Sequence, residues 1–375
     1  MSIRVLLTGG GTGGHVNPAL AIADLIKKNI PDAEIAFVGT ERGIENKLVG
    51  REGYRMYHVK IQGIRRSLSL SNLKTAYYVL TSPSKAKKII KEFKPDLVIG
   101  TGGYVCWPLL RAAIAMGIPN MVHESNALPG VAVRQLQKKV DVILTNFQET
   151  EKMLDAKEKV VCVGNPLRSS YGTVSREEAR RKLGIPDEIR HVILSFGGSL
   201  GALKINEAAM GVMKEYSSAH EDMMHFHSGG ARGYENARNL FVAYGLERND
   251  RLVLKEYIYD MPLHMAAADL VICRAGAMTL TELAMMGKPA ILIPSPNVAD
   301  NHQYKNAKVL ADGGAAILLE ESELNMDRLI EAVKQISEDD ATRMSMSEAV
   351  RKFADPQVNQ KIYEEIQKLL KRKKQ

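Results

Sequence analysis

The sequence predicts an α/β protein of two similar domains, each built on a parallel sheet. Three observations lead there. The strand-like stretch 3–8 runs directly into a glycine loop, Gly9-Gly-Gly-Thr-Gly-Gly14, and then into helix-like 16–28. The same unit returns about half a chain later, where 192–196 leads into Gly197-Gly-Ser-Leu-Gly-Ala202 and helix-like 204–215. Finally, Asp96-Leu-Val-Ile-Gly100 is echoed by Asp269-Leu-Val-Ile-Cys273. A strand, a glycine turn and a helix N-terminus together make an anion site, because backbone N–H groups and the helix dipole point at the bound group. Two such units argue for two nucleotide-fold domains facing each other.

The remaining elements follow in order. Short apolar strands are expected at 34–38, 97–100, 120–123, 142–145 and 160–163, then at 223–227, 252–255, 270–273, 290–293 and 315–318, alternating with helical segments. The turn-rich stretch 164–173 reads as a linker between a first domain, 1–163, and a second, 174–354. The last segment, 355–375, carries Ile362, Ile366, Leu369 and Leu370 at helical spacing and is expected to pack back on the first domain. Ligands of open α/β sheets bind beyond the carboxyl ends of the strands. The loops 9–15, 100–104, 123–130, 197–202, 274–282 and 294–306 are therefore expected to border one cleft.

Composition fits two folded domains: 375 residues, 45% hydrophobic and 25% charged. Cys106, Cys162 and Cys273 are too far apart for a disulfide framework or a CxxC metal pair, which points to a reduced cytosolic setting. No signal peptide and no apolar run of about 20 residues is evident. A net charge of +8 favours an anionic partner: nucleic acid, acidic lipid or a phosphorylated substrate.

Individual residues admit sharper and duller readings. Gly9, Gly11 and Gly14 satisfy the dinucleotide pattern, with Glu41 as its acidic residue, but a glycine-rich run meets many patterns by chance. A phosphate-binding P-loop is excluded, since His15 stands where lysine is required. His15 could project as a general base or merely make a local bond at a helix start. Glu282 could accept hydrogen bonds from a ribose diol or simply favour a helix dipole, and Thr279 with nearby amides could hold a diphosphate. Gln303 and Asn306 suit the reading of sugar hydroxyls, or an ordinary surface loop.

Taken together, the stretches Gly9–His15, Gly100–Tyr104, His123–Asn126, Gly164–Arg168, Gly197–Ala202, Gly276–Glu282 and His302–Asn306 occur in the order seen in the MurG family, which the chain resembles from residue 3 to about residue 310. That resemblance implies a GT-B fold of two Rossmann-like domains. It implies an inverting transferase that moves N-acetylglucosamine from UDP-GlcNAc to the C4 hydroxyl of undecaprenyl-diphosphate-linked muramoylpentapeptide. By position, donor contacts are implied at Thr12, Gly13, Gly14, Asn126, Arg168, Ser199, Ile258, Ala277, Met278, Thr279, Leu280, Thr281, Glu282 and Gln303. Leu200 and His302 depart from the glutamines common in relatives. No cofactor is implied. No Asp-x-Asp pair occurs to hold a metal, so backbone amides, a helix N-terminus and Arg168 are expected to meet the leaving-group charge. His15 is the first candidate for the base and Glu124 the second. Another GT-B enzyme (a glycolipid transferase or a UDP-sugar epimerase) and a non-catalytic nucleotide-sugar binder remain the alternatives.

The stretch 68–93 interleaves Leu70, Leu73, Tyr77, Tyr78 and Leu80 with Lys74, Lys85, Lys87, Lys88 and Lys91. An apolar face rimmed by lysine suits docking on an anionic membrane surface, although the same pattern serves core packing with a solvated rim. With a lipid-linked acceptor implied, the expectation is a peripheral protein at the cytoplasmic face of the bacterial membrane. No nucleic-acid motif is present, so none is expected as partner. The terminal 371–374 run reads most simply as a solvated tail.

Overall fold

A computed structural model describes residues 3–63, 71–298 and 301–372. The chain divides into two compact units, Met1–Ser169 with Pro356–Gln375, and Ser170–Asp355. In the first, β1 (Arg4–Thr8), β2 (Glu34–Gly39), β3 (Arg55–His58), β4 (Leu97–Gly100), β5 (Asn120–Glu124), β6 (Val142–Thr145) and β7 (Val160–Cys162) form a parallel sheet in the order β3-β2-β1-β4-β5-β6-β7. In the second, β8 (His191–Phe196), β9 (Met223–Ser228), β10 (Leu252–Lys255), β11 (Leu270–Cys273), β12 (Ala290–Leu292) and β13 (Ala316–Leu318) form another, in the order β10-β9-β8-β11-β12-β13. Numbered within each unit, both begin 3-2-1-4-5-6. That order places a topological switch between β1 and β4, and another between β8 and β11.

Helices cover both faces of each sheet, so the strands are continuous apolar runs rather than alternating ones. Val5, Leu6 and Leu7 of β1, and Val192, Ile193 and Leu194 of β8, are all buried. The repeated Asp-Leu-Val-Ile has a physical reason. Asp96 Oδ2 accepts from the Arg4 amide at 2.8 Å, and Asp269 Oδ2 accepts from the Val192 amide at 2.9 Å. In each unit the aspartate before the fourth strand closes the open end of the first.

The strand absent from the sequence expectation is β3. Arg-Met-Tyr-His is not an apolar run, and as an edge strand it is only partly buried. The helix after β1 begins at Gly13 and runs to Asn29, earlier than expected, so His15 lies within its first turn. The closing helix Val358–Arg372 packs on Gly13–Asn29 within the first unit, burying Val358, Ile362, Ile366 and Leu369.

Candidate functional site

Each switch point places a helix N-terminus beyond the carboxyl end of a strand. The helices Gly13–Asn29, Leu203–Glu215 and Ala277–Met286 begin after Thr12, Ala202 and Gly276. Among the described residues none of the three has a side-chain cap, and none has an acidic residue in its first turn. In the second, the Asn206 amide is bonded to the Ala202 carbonyl, so the amides of residues 203–205 precede the helical ladder. In the third, the Leu280 amide is bonded to the Gly276 carbonyl, which leaves those of 277–279 in the same position. Donors of this kind take their partners from capping groups, water or a ligand, and the dipole favours an anion.

In the first unit the glycine loop carries His15. Gly102 and Gly103, with φ of 100° and 77°, wrap over its ring. A Cβ at Gly102 would lie 2.6 Å from His15 Nδ1, and one at Gly103 would lie 2.3 Å from the Gly10 carbonyl oxygen. The Thr101 hydroxyl donates to the His15 carbonyl at 2.7 Å. Nδ1 is enclosed and has no hydrogen-bond partner among the described residues. Burial lowers the imidazole below its ordinary value, with the Glu124 carboxylate opposing the shift. The fold thus favours the neutral imidazole and leaves its Nδ1 out of any structural bond among the described residues.

Glu124 is differently placed. Its Oε1 accepts from the Asn126 amide at 3.0 Å and from Asn126 Nδ2 at 3.1 Å, and its Oε2 accepts from the Gly130 amide at 2.7 Å. Gly130 is the N-cap of the helix Val131–Leu136. The carboxylate therefore fastens the loop after β5, with Asn126 tied into the same knot. Beneath the first glycine loop lies a residue the sequence did not mark. Glu45, buried, accepts from the Gly11 amide at 3.3 Å, the Thr40 amide at 2.9 Å and the Thr40 hydroxyl at 2.8 Å. Glu41, the acidic residue of the dinucleotide pattern, is exposed instead.

Arg168 belongs to the first unit and is fully engaged there. It makes a bidentate pair with Glu52 at 2.7 and 2.8 Å and bonds Asp24 at 3.0 Å. With two carboxylates already on the guanidinium, it carries no surplus positive charge toward a diphosphate in this state.

In the second unit, Ser199 and Leu200 lie half-exposed in the glycine loop, their carbonyls accepting from the Ala231 and Arg232 amides at 3.2 and 3.0 Å. Ala277, Met278 and Leu280 are buried side chains, and Thr281 donates its hydroxyl to the Ala277 carbonyl at 3.0 Å. What this segment offers a ligand is first-turn backbone, with Thr279 beside it. Ile258 is a core residue, 2% exposed, so its side chain is not available to a sugar. Gln303 turns back to accept from the Ser295 amide at 2.9 Å, and Asn306 ties the Ala275 carbonyl at 3.3 Å.

Glu282 stands out chemically. Burial pushes its carboxyl up to about 7, opposed by the hydrogen bond it accepts from the Tyr171 hydroxyl at 2.8 Å. Burial and the Glu282 charge also push the Tyr257 phenol up to about 12. Among the described residues no cluster of three or more His, Cys, Asp or Glu side chains could hold a metal ion.

On the helix Ser71–Phe93, Ala86, Ile89, Ile90 and Phe93 face the core. Tyr77 and Leu80 are 63% and 79% exposed, and Lys85, Lys87 and Lys88 are exposed beyond them. A groove of about 300 Å³ beside the helix gathers Lys87, Arg111 and Lys139 around Pro83, Ile114 and Leu136. Residues 68–70, the side chains of Leu73 and Lys74, and the last lysines, 373–374, lie outside the described residues. Among the described residues no helix is long and apolar enough to cross a membrane.

Comparison with known proteins finds one family domain largely in each unit. Residues 5–145 match the glycosyltransferase family 28 N-terminal domain and residues 192–362 its C-terminal domain. The chain is 43% identical over 371 residues, 99% of either protein, to the UDP-N-acetylglucosamine--N-acetylmuramyl-(pentapeptide) pyrophosphoryl-undecaprenol N-acetylglucosamine transferase of Acetivibrio thermocellus. The crystal structure of Acinetobacter baumannii MurG superimposes with a TM-score of 0.68 at 29% identity, covering 98% of this chain and 100% of that one. A Staphylococcus aureus MnaA–UDP structure matches with a TM-score of 0.67 at 16% identity over 98% and 97% of the two chains, a likeness of fold alone.

Proposed function

Because the chain belongs to glycosyltransferase family 28, in both of its domains and along its whole length, we propose that it transfers N-acetylglucosamine from UDP-GlcNAc to the C4 hydroxyl of undecaprenyl-diphosphate-linked muramoylpentapeptide. It is a GT-B enzyme. The observation that carries the chemistry is the division between the two units. One has uncapped helix N-termini beside a protonatable Glu282. The other has a neutral, unengaged His15.

In this reading the second glycine loop and the amides of 277–279 receive the UDP diphosphate, and Glu282 receives the ribose hydroxyls, displacing or sharing the Tyr171 bond. The acceptor hydroxyl attacks the anomeric carbon from the face opposite the diphosphate. The new C–O bond forms as the bond to the β-phosphate oxygen breaks, so the configuration inverts and a β-1,4 link results. The hydroxyl proton goes to His15, and the electron pair leaves with UDP. His15 is preferred to Glu124 because the Glu124 oxygens already accept three hydrogen bonds. Leaving-group charge is met by oriented amides without a metal. Holding two large substrates in line supplies much of the rate.

The membrane face belongs to the first unit. Tyr77 and Leu80, with the exposed lysines and the groove lined by Lys87, Arg111 and Lys139, suit a peripheral dock on anionic lipid at the cytoplasmic face. Nucleic acid is not a partner in this reading. Incubation with UDP-GlcNAc and the lipid acceptor should release UDP and yield a β-linked disaccharide lipid. Formation of neither, with both substrates intact, would sink the assignment.

A further inference from the structure

Behind the second glycine loop runs a chain of side chains that are all fully buried: Ser217, His225, Ser195, His227 and Asn206. The links are Ser217 Oγ to His225 Nδ1 at 3.1 Å, His225 Nε2 to Ser195 Oγ at 2.8 Å, Ser195 Oγ to His227 Nδ1 at 2.7 Å, and His227 Nε2 to Asn206 Oδ1 at 3.1 Å. Asn206 Nδ2 then donates to the carbonyls of Gly229 and Gly233 at 2.9 and 3.2 Å.

That last step fixes the direction of the rest. Backbone carbonyls only accept, so the amide nitrogen must face them and Oδ1 must face His227. His227 must therefore donate from Nε2, which leaves its Nδ1 as an acceptor for the Ser195 hydroxyl. Ser195, having donated forward, accepts from His225 Nε2–H. The Nδ1 of His225 accepts from Ser217. Each proton has one place, and both rings are neutral Nε2–H tautomers. Burial depresses both imidazoles far below their ordinary range, that of His227 to about 3.

The chain ends on the turn that braces the loop. Asn206 pins Gly229 and Gly233. Between them the Ala231 and Arg232 amides hold the carbonyls of Ser199 and Leu200. Gly201, with φ of 82°, lies so close that a Cβ there would stand 2.1 Å from the Gly229 oxygen. We propose that Asn206, oriented by the one-way chain Ser217–His225–Ser195–His227, is a positioning residue that sets the second glycine loop for the donor diphosphate. This rests on the reading of that loop as the UDP site.

The test is Asn206→Asp, nearly the same shape but without donors for the two carbonyls. Groups that orient metal ligands from behind are typically worth about 10–100-fold, and a diphosphate-binding loop is expected to respond on the same scale. UDP affinity by calorimetry and the KM for UDP-GlcNAc should therefore worsen by about that factor, with the KM for the lipid acceptor unchanged. A variant that merely lost folded enzyme would lower the maximal rate and leave both KM values alone, which would overturn the proposal. So would unchanged UDP affinity in a folded variant. Should the variant fail to fold, the wild type decides. Long-range ¹⁵N–¹H correlation at pH 7 should show His225 and His227 as Nε2–H tautomers, with the His227 signals moving when UDP is added. An Nδ1–H tautomer, an imidazolium, or an unmoved His227 overturns the proposal. A wild type that binds no UDP overturns the donor reading instead.

Discussion

The two glycine loops leave matching strands, β1 and β8, and reach matching helices, but what lies beneath them differs in charge and length. The first crosses from Thr8 to the N-cap Thr12 in three residues and rests on the buried carboxylate of Glu45. The second takes five residues, 197–201, and rests on the Ala231 and Arg232 amides, backed by an uncharged chain of serine, histidine and asparagine. An internal carboxylate repels any anion offered to the same amides, and in a low-dielectric site that repulsion is large. A neutral floor leaves the amide dipoles to a ligand. In the proposed reading the same supersecondary unit serves twice: with a built-in anion it is a rigid mount for His15, and without one it is a receptor for diphosphate.

The hardest test of that division is His15→Ala. Loss of a general base lowers kcat by about two to four orders of magnitude, while UDP affinity, which the proposed reading assigns to the other unit, should stay as it was. Near-normal turnover would pass the base role to Glu124 or solvent. Next comes the surface of the same unit. Each basic residue near anionic lipid contributes about 1 kcal/mol, so Lys85→Glu, Lys87→Glu and Lys88→Glu together should weaken vesicle binding by at least about a hundredfold. A short-chain soluble acceptor should still turn over. Sedimentation of the triple variant with anionic vesicles at the wild-type level would move the dock elsewhere.

On the donor side, Glu282→Gln replaces a charged acceptor by a neutral one and should weaken UDP binding roughly tenfold. Its effect on stability has the opposite sign. Burial raises this carboxyl from 4.5 to about 7, so between those values the folded protein keeps a proton that the unfolded chain releases. Wild-type stability therefore falls as pH rises through that window, by an amount on the order of 3 kcal/mol. The glutamine variant should lack this slope and melt higher than wild type at pH 8 while binding UDP less well. Equal melting differences at pH 5 and pH 8 would show that the carboxyl is not held protonated.

Much of the fold could be read from the chain because parallel strands buried on both faces are unbroken apolar runs ended by turns. The strand β3 escaped because an edge strand keeps polar residues. The second-unit network did leave a trace: in Met223-Met-His-Phe-His-Ser228, two histidines at a spacing of two must share one face of an otherwise apolar strand. Glu45 left none. It lies 34 residues from the amide it holds, and only the return of the helix Glu45–Arg51 beside the first loop brings them together. Side-chain availability was equally hidden. Nothing in the sequence says that Arg168 is held by Asp24 and Glu52, or that Ile258 faces the core.

Glu45→Gln should give the smallest of these effects and addresses the comparison most directly. The amide keeps the size of the carboxylate but can offer only one acceptor oxygen. If that oxygen stays on the Thr40 amide and hydroxyl, an NH₂ group faces the Gly11 N–H, donor against donor. The loop must shift or lose that bond, which costs about 1–3 kcal/mol of stability for a buried group left unpaired. A sub-ångström displacement of the mount misplaces His15, so kcat should fall, by roughly three- to tenfold if about one neutral hydrogen bond's worth of positioning is lost. UDP affinity should not change, since the proposed donor amides lie in the other unit. Two results are at stake, and they separate cleanly. A loss of UDP affinity with kcat intact would mean that the first loop, too, is a donor receptor, and the distinction drawn from Glu45 would collapse. A fall in kcat with UDP affinity preserved would mean that the buried carboxylate occupies the first loop's anion site in order to hold a base.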